Sequence, residues 1–313
     1  MNNTLAIVVT RNNPILLNEF FHSFHNRTYL KPPCDLIIAD NSSDDINQLN
    51  LLKRISDSNS KNIKIMTCPN DRVEVTFDYV SKQYIEDYSN FIFFHDDSEF
   101  FSCFWLQDYI KKITTGVGRV SACHQPYRDF LTCEGYSMPS LFLKEILEIY
   151  GINIEKYKYS DIDRTLYTQD CLRECGIWNV KYFKDNSHEI EKIKHILDKY
   201  LPYYDEGTYP KNLYPSGYYW NKLSLLCEFL NCVIPLSKGF KTVGLDDKDY
   251  LEQRDGDNIP FGSKSILHWG APHVKKYLAS KMETTAEEIH KKIYSNDKIF
   301  HMKSLKLIKD YYK

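Results

Sequence analysis

Short apolar runs alternating with amphipathic stretches set the pattern of the first hundred residues. Leu5 to Val9, Leu36 to Ala39 and Phe91 to Phe94 are continuous apolar runs, and Ile63-Lys64-Ile65-Met66 is a shorter one. A short continuous run of this kind reads as a strand buried on both faces. After the first run, Pro14 opens a helical pattern with Leu16, Leu17, Phe20, Phe21 and Phe24 on one face. A second helical pattern carries Phe77, Val80 and Tyr84. Strands alternating with helices imply an α/β fold with a doubly wound, mostly parallel sheet and right-handed crossovers. The runs end in polar segments: Thr10-Arg11-Asn12-Asn13-Pro14, Asp40-Asn41-Ser42-Ser43-Asp44-Asp45 and His95-Asp96-Asp97-Ser98-Glu99. In such a sheet these ends gather at one edge, where open α/β sheets bind ligands.

Further along, Gly116-Val117-Gly118-Arg119-Val120-Ser121-Ala122 reads as a loop entering another strand. The loop Gly135 to Ser140 precedes a helix with Leu141, Phe142, Ile146 and Ile149, closed by Gly151. Val180, Tyr182 and Phe183 read as a strand, and Ile190 to Leu201 as a helix. Leu201 to Gly217 is rich in Tyr, Pro and Gly and suits a loop over a cleft. Tyr218 to Phe229 returns to helix, and Ser265-Ile266-Leu267-His268 is a strand-like run. From Val274 onward the chain is helical and lysine-rich. A basic amphipathic tail fits either a solvated face or peripheral contact with an anionic membrane.

Composition narrows the class without naming a function. The chain has 313 residues, 42% hydrophobic and 26% charged, as an ordinary globular protein does. A net charge of −2 gives no electrostatic argument for nucleic acid. No apolar run approaches the roughly 20 residues that span a bilayer. The N-terminus lacks a basic leader and reads as a first strand, so a cytoplasmic protein is expected. Nine scattered cysteines with no Cys-x-x-Cys fit reduced thiols.

The chemistry concentrates at His95-Asp96-Asp97. Two adjacent carboxylates repel unless something positive lies between them. A divalent cation such as Mg²⁺ or Mn²⁺ solves this, being bound through oxygen. A helix N-cap at Asp97 or Ser98, leading through Trp105 and Tyr109, is the competing reading. No Gly-x-Gly-x-x-Gly follows the first strand and no Gly-Lys-Ser/Thr occurs, so neither a dinucleotide fold nor a P-loop is expected.

Taken together, Val8 to Asn12, Ile37 to Asp44 and Phe93 to Asp97 resemble the nucleotide-sugar-binding half of a GT-A glycosyltransferase of the family 2 type. The resemblance implies a Rossmann-like GT-A domain with a helical C-terminal extension. It places a nucleotide-sugar-binding half at 1–115, an acceptor-binding half at 116–200 and a lid with C-terminal helices at 201–313. Asp40 and Asn41 match positions that contact the nucleoside; Thr10, Arg11 and Asn12 match the loop beside the base and ribose. Asp71 and Arg72 stand where further base contacts are found, and Asp96 lies in the same donor motif. Asp97 matches the last acid of the metal motif Asp-x-Asp, and His95 replaces the first. His268, or His188, matches a histidine that closes the metal shell in several GT-A enzymes.

Ser160-Asp161-Ile162-Asp163 resembles the family's Glu-Asp-x-Asp segment, with serine in place of the glutamate. The helix there supplies the base in inverting enzymes. Asp161, then Asp163, then Asp170 are the candidates to take the acceptor hydroxyl proton. A plain N-cap by Ser160 is the alternative. The implied activity is metal-dependent transfer, with inversion, from a nucleotide-sugar such as a UDP-sugar to a saccharide or lipid-linked acceptor. The implied setting is surface polysaccharide or lipo-oligosaccharide synthesis at the inner face of the cell membrane. A sugar-nucleotide nucleotidyltransferase and a non-catalytic carbohydrate-binding protein are the rival classes.

Overall fold

The computed structural model describes residues 3–26, 34–58, 61–68, 73–102, 104–122, 125–126, 144–153, 158–159, 162–177, 222–245, 266–270 and 272–311. In chain order the elements are β1 (Thr4–Thr10), α1 (Pro14–Asn26), β2 (Asp35–Asp40), α2 (Ile46–Asp57), β3 (Ile63–Thr67), α3 (Val73–Tyr84) and β4 (Asn90–His95). Then come β5 (Ser98–Phe100), α4 (Trp105–Lys112), β6 (Val117–Ser121), β7 (Gln125–Pro126), β8 (Lys158–Tyr159), β9 (Thr165–Thr168) and α5 (Gln169–Cys175). The chain continues through α6 (Lys222–Ser237), β10 (Lys241–Gly244), β11 (Ile266–His268), α7 (Pro272–Met282), α8 (Ala286–Ile293) and α9 (Lys298–Tyr311). Two compact units share these elements: Met1–Asp71 with Asn90–Lys112 and Lys248–Lys313, and Arg72–Ser89 with Ile113–Asp247.

In the first unit β4, β1, β2 and β3 lie side by side, all parallel. Ile7, Val8, Ile38, Phe93 and Phe94 are fully or almost fully buried, which is why these strands read as unbroken apolar runs. The register pairs Val8 with both Ile38 and Phe94, so Thr10, Asp40 and His95 finish at the same edge. Helix α1 packs its aromatic face below: Phe20 meets Phe94 at 5.7 Å and Phe100 at 5.3 Å between ring centroids. Trp105, the first residue of α4, closes this cluster 4.8 Å from Phe100.

The segment after the acidic pair is not a helix. Ser98–Phe100 forms β5, antiparallel to β11, with Ser98 opposite His268. This corrects the N-cap reading: the helix starts only at Trp105. Physically, the backbone groups of 97–100 are taken up by a partner strand, so they are not left to start a helix. Beyond β11, helices α7 to α9 enclose their own core. Leu267, Trp269, Val274, Leu278, Ile289, Ile293, Phe300 and Ile308 pack there together with Leu16 of α1.

In the second unit β6 pairs parallel with β10 and antiparallel with β9. Arg119 is fully buried in β6, with its guanidinium 5.0 Å from the Tyr167 ring centroid. Gly118 precedes it because a β-carbon there would fall 2.8 Å from the Phe240 ring. Residues 144–149 are helical, and Gly151 follows with φ 65°. The helix expected from Ser160 begins later, at Gln169. Thr165–Thr168 pairs with β6 first, and the Thr168 hydroxyl then caps α5 by accepting from the Cys171 amide. The expected elements at 180–183 and 190–217 lie outside the described residues.

Candidate functional site

The parallel strands deliver polar groups to one edge, and short hydrogen bonds lock them there. Gln48 of α2, fully buried, donates through Nε2 to the Thr10 hydroxyl at 2.9 Å. A hydroxyl has one proton, so Thr10 Oγ1 gives its own to Asp96 Oδ2, 2.6 Å away. Helix α2 is placed for this by Asp45, whose side chain accepts from the Asn47 and Gln48 amides. Asn12 sits at φ 55° and ties the β1 loop to the β2 loop. Its Oδ1 accepts from the Asp44 and Asp45 amides at 2.9 and 3.0 Å, and its Nδ2 donates to Asp44 Oδ1 at 2.5 Å. Asn12 thus shapes the loop with its side chain.

Asp40 and Asn41 are buried at the end of β2, and the Asn41 amide donates to the Thr10 carbonyl at 2.9 Å. Asp40 Oδ1 is buried with no hydrogen-bond partner among the described residues. A bare carboxylate oxygen is costly away from water and is a natural place for a ligand donor. Arg11, which follows Thr10 in the chain, is exposed. Asp71, Arg72 and Asp161 lie outside the described residues.

Asp97 is only 4% exposed, and its two oxygens differ. Oδ2 accepts from the Tyr294 hydroxyl at 2.8 Å and the Gly270 amide at 3.2 Å, and His268 Nε2 lies 3.1 Å away. Oδ1 is buried with no hydrogen-bond partner among the described residues. The Trp269 amide also donates to the Asp97 carbonyl at 2.9 Å, extending the β5–β11 pairing to the acid itself. His95 and Asp97 each offer a ligand atom, the two within 4.8 Å of one another. Lys275 is buried on α7, and the Asp97 charge reaches it.

Electrostatics separate the two neighbouring acids. Burial pushes the Asp96 carboxyl up to about 7, against the Thr10 hydrogen bond and with the help of the Asp97 charge. Burial acts the same way on Asp97. There the charge and hydrogen bond of His268, then His95 and Tyr294, outweigh it and hold the carboxyl well below the usual carboxylate range. Burial pushes the Lys275 amine down to about 8, with Asp97 pulling the other way.

Asp96 therefore has a readable pH signature. Its folded value is raised above the unfolded one, so the folded chain holds that proton more tightly. The stabilisation is complete below about pH 4 and is lost as pH rises to about 7. In a chelator, the melting temperature of the parent should fall relative to Asp96→Asn across that window. Parallel melting curves for the two proteins would contradict the assignment.

The donor set suits a divalent cation: a carboxylate oxygen with no other partner, flanked by imidazoles, at a water-poor strand end. The structure thus brings together Asp97, His95 and His268, and separately Thr10, Asp96, Asp40 and Asn41. In the second unit, Asp163 is buried in the turn before β9, its Oδ2 3.2 Å from Arg164 Nε. Asp170 is exposed in the first turn of α5. Sequence reasoning missed Gln48, Gly270, Lys275 and Tyr294. Gly270 had a signal in standing beside His268-Trp269, whereas Tyr294 had none.

No protein-family model matches the chain, and neither does any curated protein. Similar solved structures include S. aureus TarS 1-349, at 16% identity and a TM-score of 0.40, covering 63% of this chain and 56% of that one. This chain therefore spans just over half of that structure. Another is the mannosyltransferase PcManGT from Pyrobaculum calidifontis in complex with GDP-Man and Mn²⁺. It shows 11% identity and a TM-score of 0.47, over 99% of this chain and 73% of that one. The galactosyltransferase LgtC, in complex with donor and acceptor sugar analogs, gives 10% identity and a TM-score of 0.47 over 86% and 87%.

Proposed function

We propose that this chain is a metal-dependent GT-A glycosyltransferase that takes a nucleotide-sugar donor, a UDP-sugar in the first instance. The observation that carries the reading is the Asp97 carboxylate at the end of a buried parallel strand. One of its oxygens is held by three groups, and the other is buried with no partner. Asp97 and His95 would hold Mn²⁺ or Mg²⁺, and His268 would join them through Nε2 only on releasing Asp97 Oδ2. When bound, the cation supplies positive charge against the donor diphosphate as the glycosidic bond breaks. Asp40 and Asn41 would receive the nucleoside at the neighbouring strand end, where the unpartnered Asp40 Oδ1 is ready to accept from a hydroxyl or an N–H. Thr10 and Gln48 fix Asp96, so that its carboxyl cannot swing toward the cation in place of Asp97.

The acceptor is a saccharide or a lipid-linked saccharide in this reading, transfer inverts the sugar, and the product belongs to a surface polysaccharide or lipo-oligosaccharide. The proton of the acceptor hydroxyl goes to an acid of the 161–170 segment, where Asp163 is buried and Asp170 exposed. Among the described residues no helix is long and apolar enough to cross a membrane. The exposed Ile299 and Met302 on α9, among Lys298, Lys303, Lys306 and Lys309, support peripheral contact with anionic lipid.

A melting-temperature screen of nucleotide-sugars with and without Mn²⁺ tests the reading. A donor at about 100 times its Kd should stabilise the chain by about 2.7 kcal/mol, and only with metal present. No stabilisation by any nucleotide-sugar in the presence of Mn²⁺ would overturn it.

A further inference from the structure

A carboxylate has two oxygens and about four lone-pair sites, and its terminal torsion is broad and soft. Nothing in Asp97 alone decides which oxygen faces a ligand. Here the decision comes from a segment far along the chain. The Tyr294 hydroxyl and the Gly270 amide both donate to Oδ2, His268 Nε2 lies against the same atom, and Oδ1 is left buried and without a partner. The fit around Oδ2 is close. A β-carbon at residue 270 would fall 2.7 Å from Asp97 Oδ2, 2.7 Å from the Tyr294 hydroxyl and 3.2 Å from His268 Nε2. Only glycine lets the backbone approach this near. Tyr294 follows the last turn of α8, and its ring packs on His290 with centroids 5.0 Å apart, which aims the hydroxyl.

We infer that Tyr294 and Gly270 are positioning residues that occupy Asp97 Oδ2 and so commit the carboxylate to binding a divalent cation through Oδ1 alone. This rests on the cation reading of Asp97 given above. Its consequence is a single-oxygen, directional bond to the cation in place of a chelating two-oxygen grip. Partners of this kind, which touch the ligand residue but not the metal, typically change metal affinity about 10- to 100-fold when removed.

The test is a Mn²⁺ titration of the full chain without donor sugar, following free Mn²⁺ by electron paramagnetic resonance. Tyr294→Phe should bind Mn²⁺ about 10- to 100-fold more weakly than the parent. Tyr277→Phe loses a hydroxyl of the same kind among the same helices, one that donates to the Leu307 carbonyl at 3.2 Å, and it should bind as the parent does. Should Tyr294→Phe prove poorly folded, Gly270→Ala disturbs the same oxygen from the other side and should also weaken binding. Parent affinity retained in a folded Tyr294→Phe or Gly270→Ala overturns the inference. An equal loss in Tyr277→Phe overturns it too, since the effect would then be general loosening. A parent that binds no Mn²⁺ overturns the cation reading itself, a failure distinct from the other two.

Discussion

If the chain is the transferase proposed above, replacing Asp97 with alanine should lower sugar transfer by at least about 10³-fold, roughly 4 kcal/mol of transition-state stabilisation. The acid is at a position where charge and hydrogen bonding overcome burial. Its carboxyl stays ionised across the working range because His268, His95 and Tyr294 outweigh the burial that opposes ionisation. Without it, the imidazoles lose the unpartnered carboxylate oxygen beside them, and the neighbouring Asp96 is held by Thr10. The fold should survive. The β5–β11 pairing runs through backbone groups, including the Trp269 amide to the Asp97 carbonyl at 2.9 Å, and alanine keeps that carbonyl. The lost side-chain bonds to Tyr294 and Gly270 are neutral-donor bonds to a charged acceptor, of the order of 1.5–3 kcal/mol each net of water, so the variant should melt lower than the parent while remaining folded. Steady-state transfer assays and a melt of the same preparation check both halves. Full transfer by Asp97→Ala, or by the parent in excess chelator, would remove the metal from the proposal.

The second large effect falls on stability. Trp269→Ala should cost about 3–5 kcal/mol, as large-to-small changes at buried aromatics do. Trp269 is 1% exposed and packs among Leu267, Val274, Leu278, Ile293 and Phe300, with its ring 5.2 Å from that of His301. It also stands between His268 and Gly270, both of which reach Asp97. Loss of the indole should therefore loosen the carboxylate's holders as well as the helical core. Urea unfolding gives the first quantity and Mn²⁺ titration the second. A variant as stable as the parent would mean that the helical core is not what fixes β11.

β1, β2 and β4 were readable because both faces are buried, which leaves an apolar run with no alternation to misread. The polar ends of those runs marked the ligand edge for the same reason. His268 stood out by ending a strand-like run. β5 was not readable: Ser98-Glu99-Phe100 has one apolar residue, and its strand state depends on β11, more than 160 positions away. The helix assigned to Ser160 slid to Gln169 because Thr165–Thr168 is drawn into a strand by pairing, with β6 among its partners. Arg164, at φ 55°, separates the turn that holds Asp163 from that strand. Tyr294 was invisible because a helix-end tyrosine is ordinary locally, and its hydroxyl finds its acceptor only in three dimensions.

The Gly270 and Tyr294 contacts with Asp97 join residues 173 and 197 positions apart. Translation therefore runs 173 codons beyond the acid before the first of these holders is made and 197 before the second. Until then the nascent parallel strands present a carboxylate with neither orientation fixed, so competence to bind the cation should arrive in one late step during synthesis and should not grow with chain length.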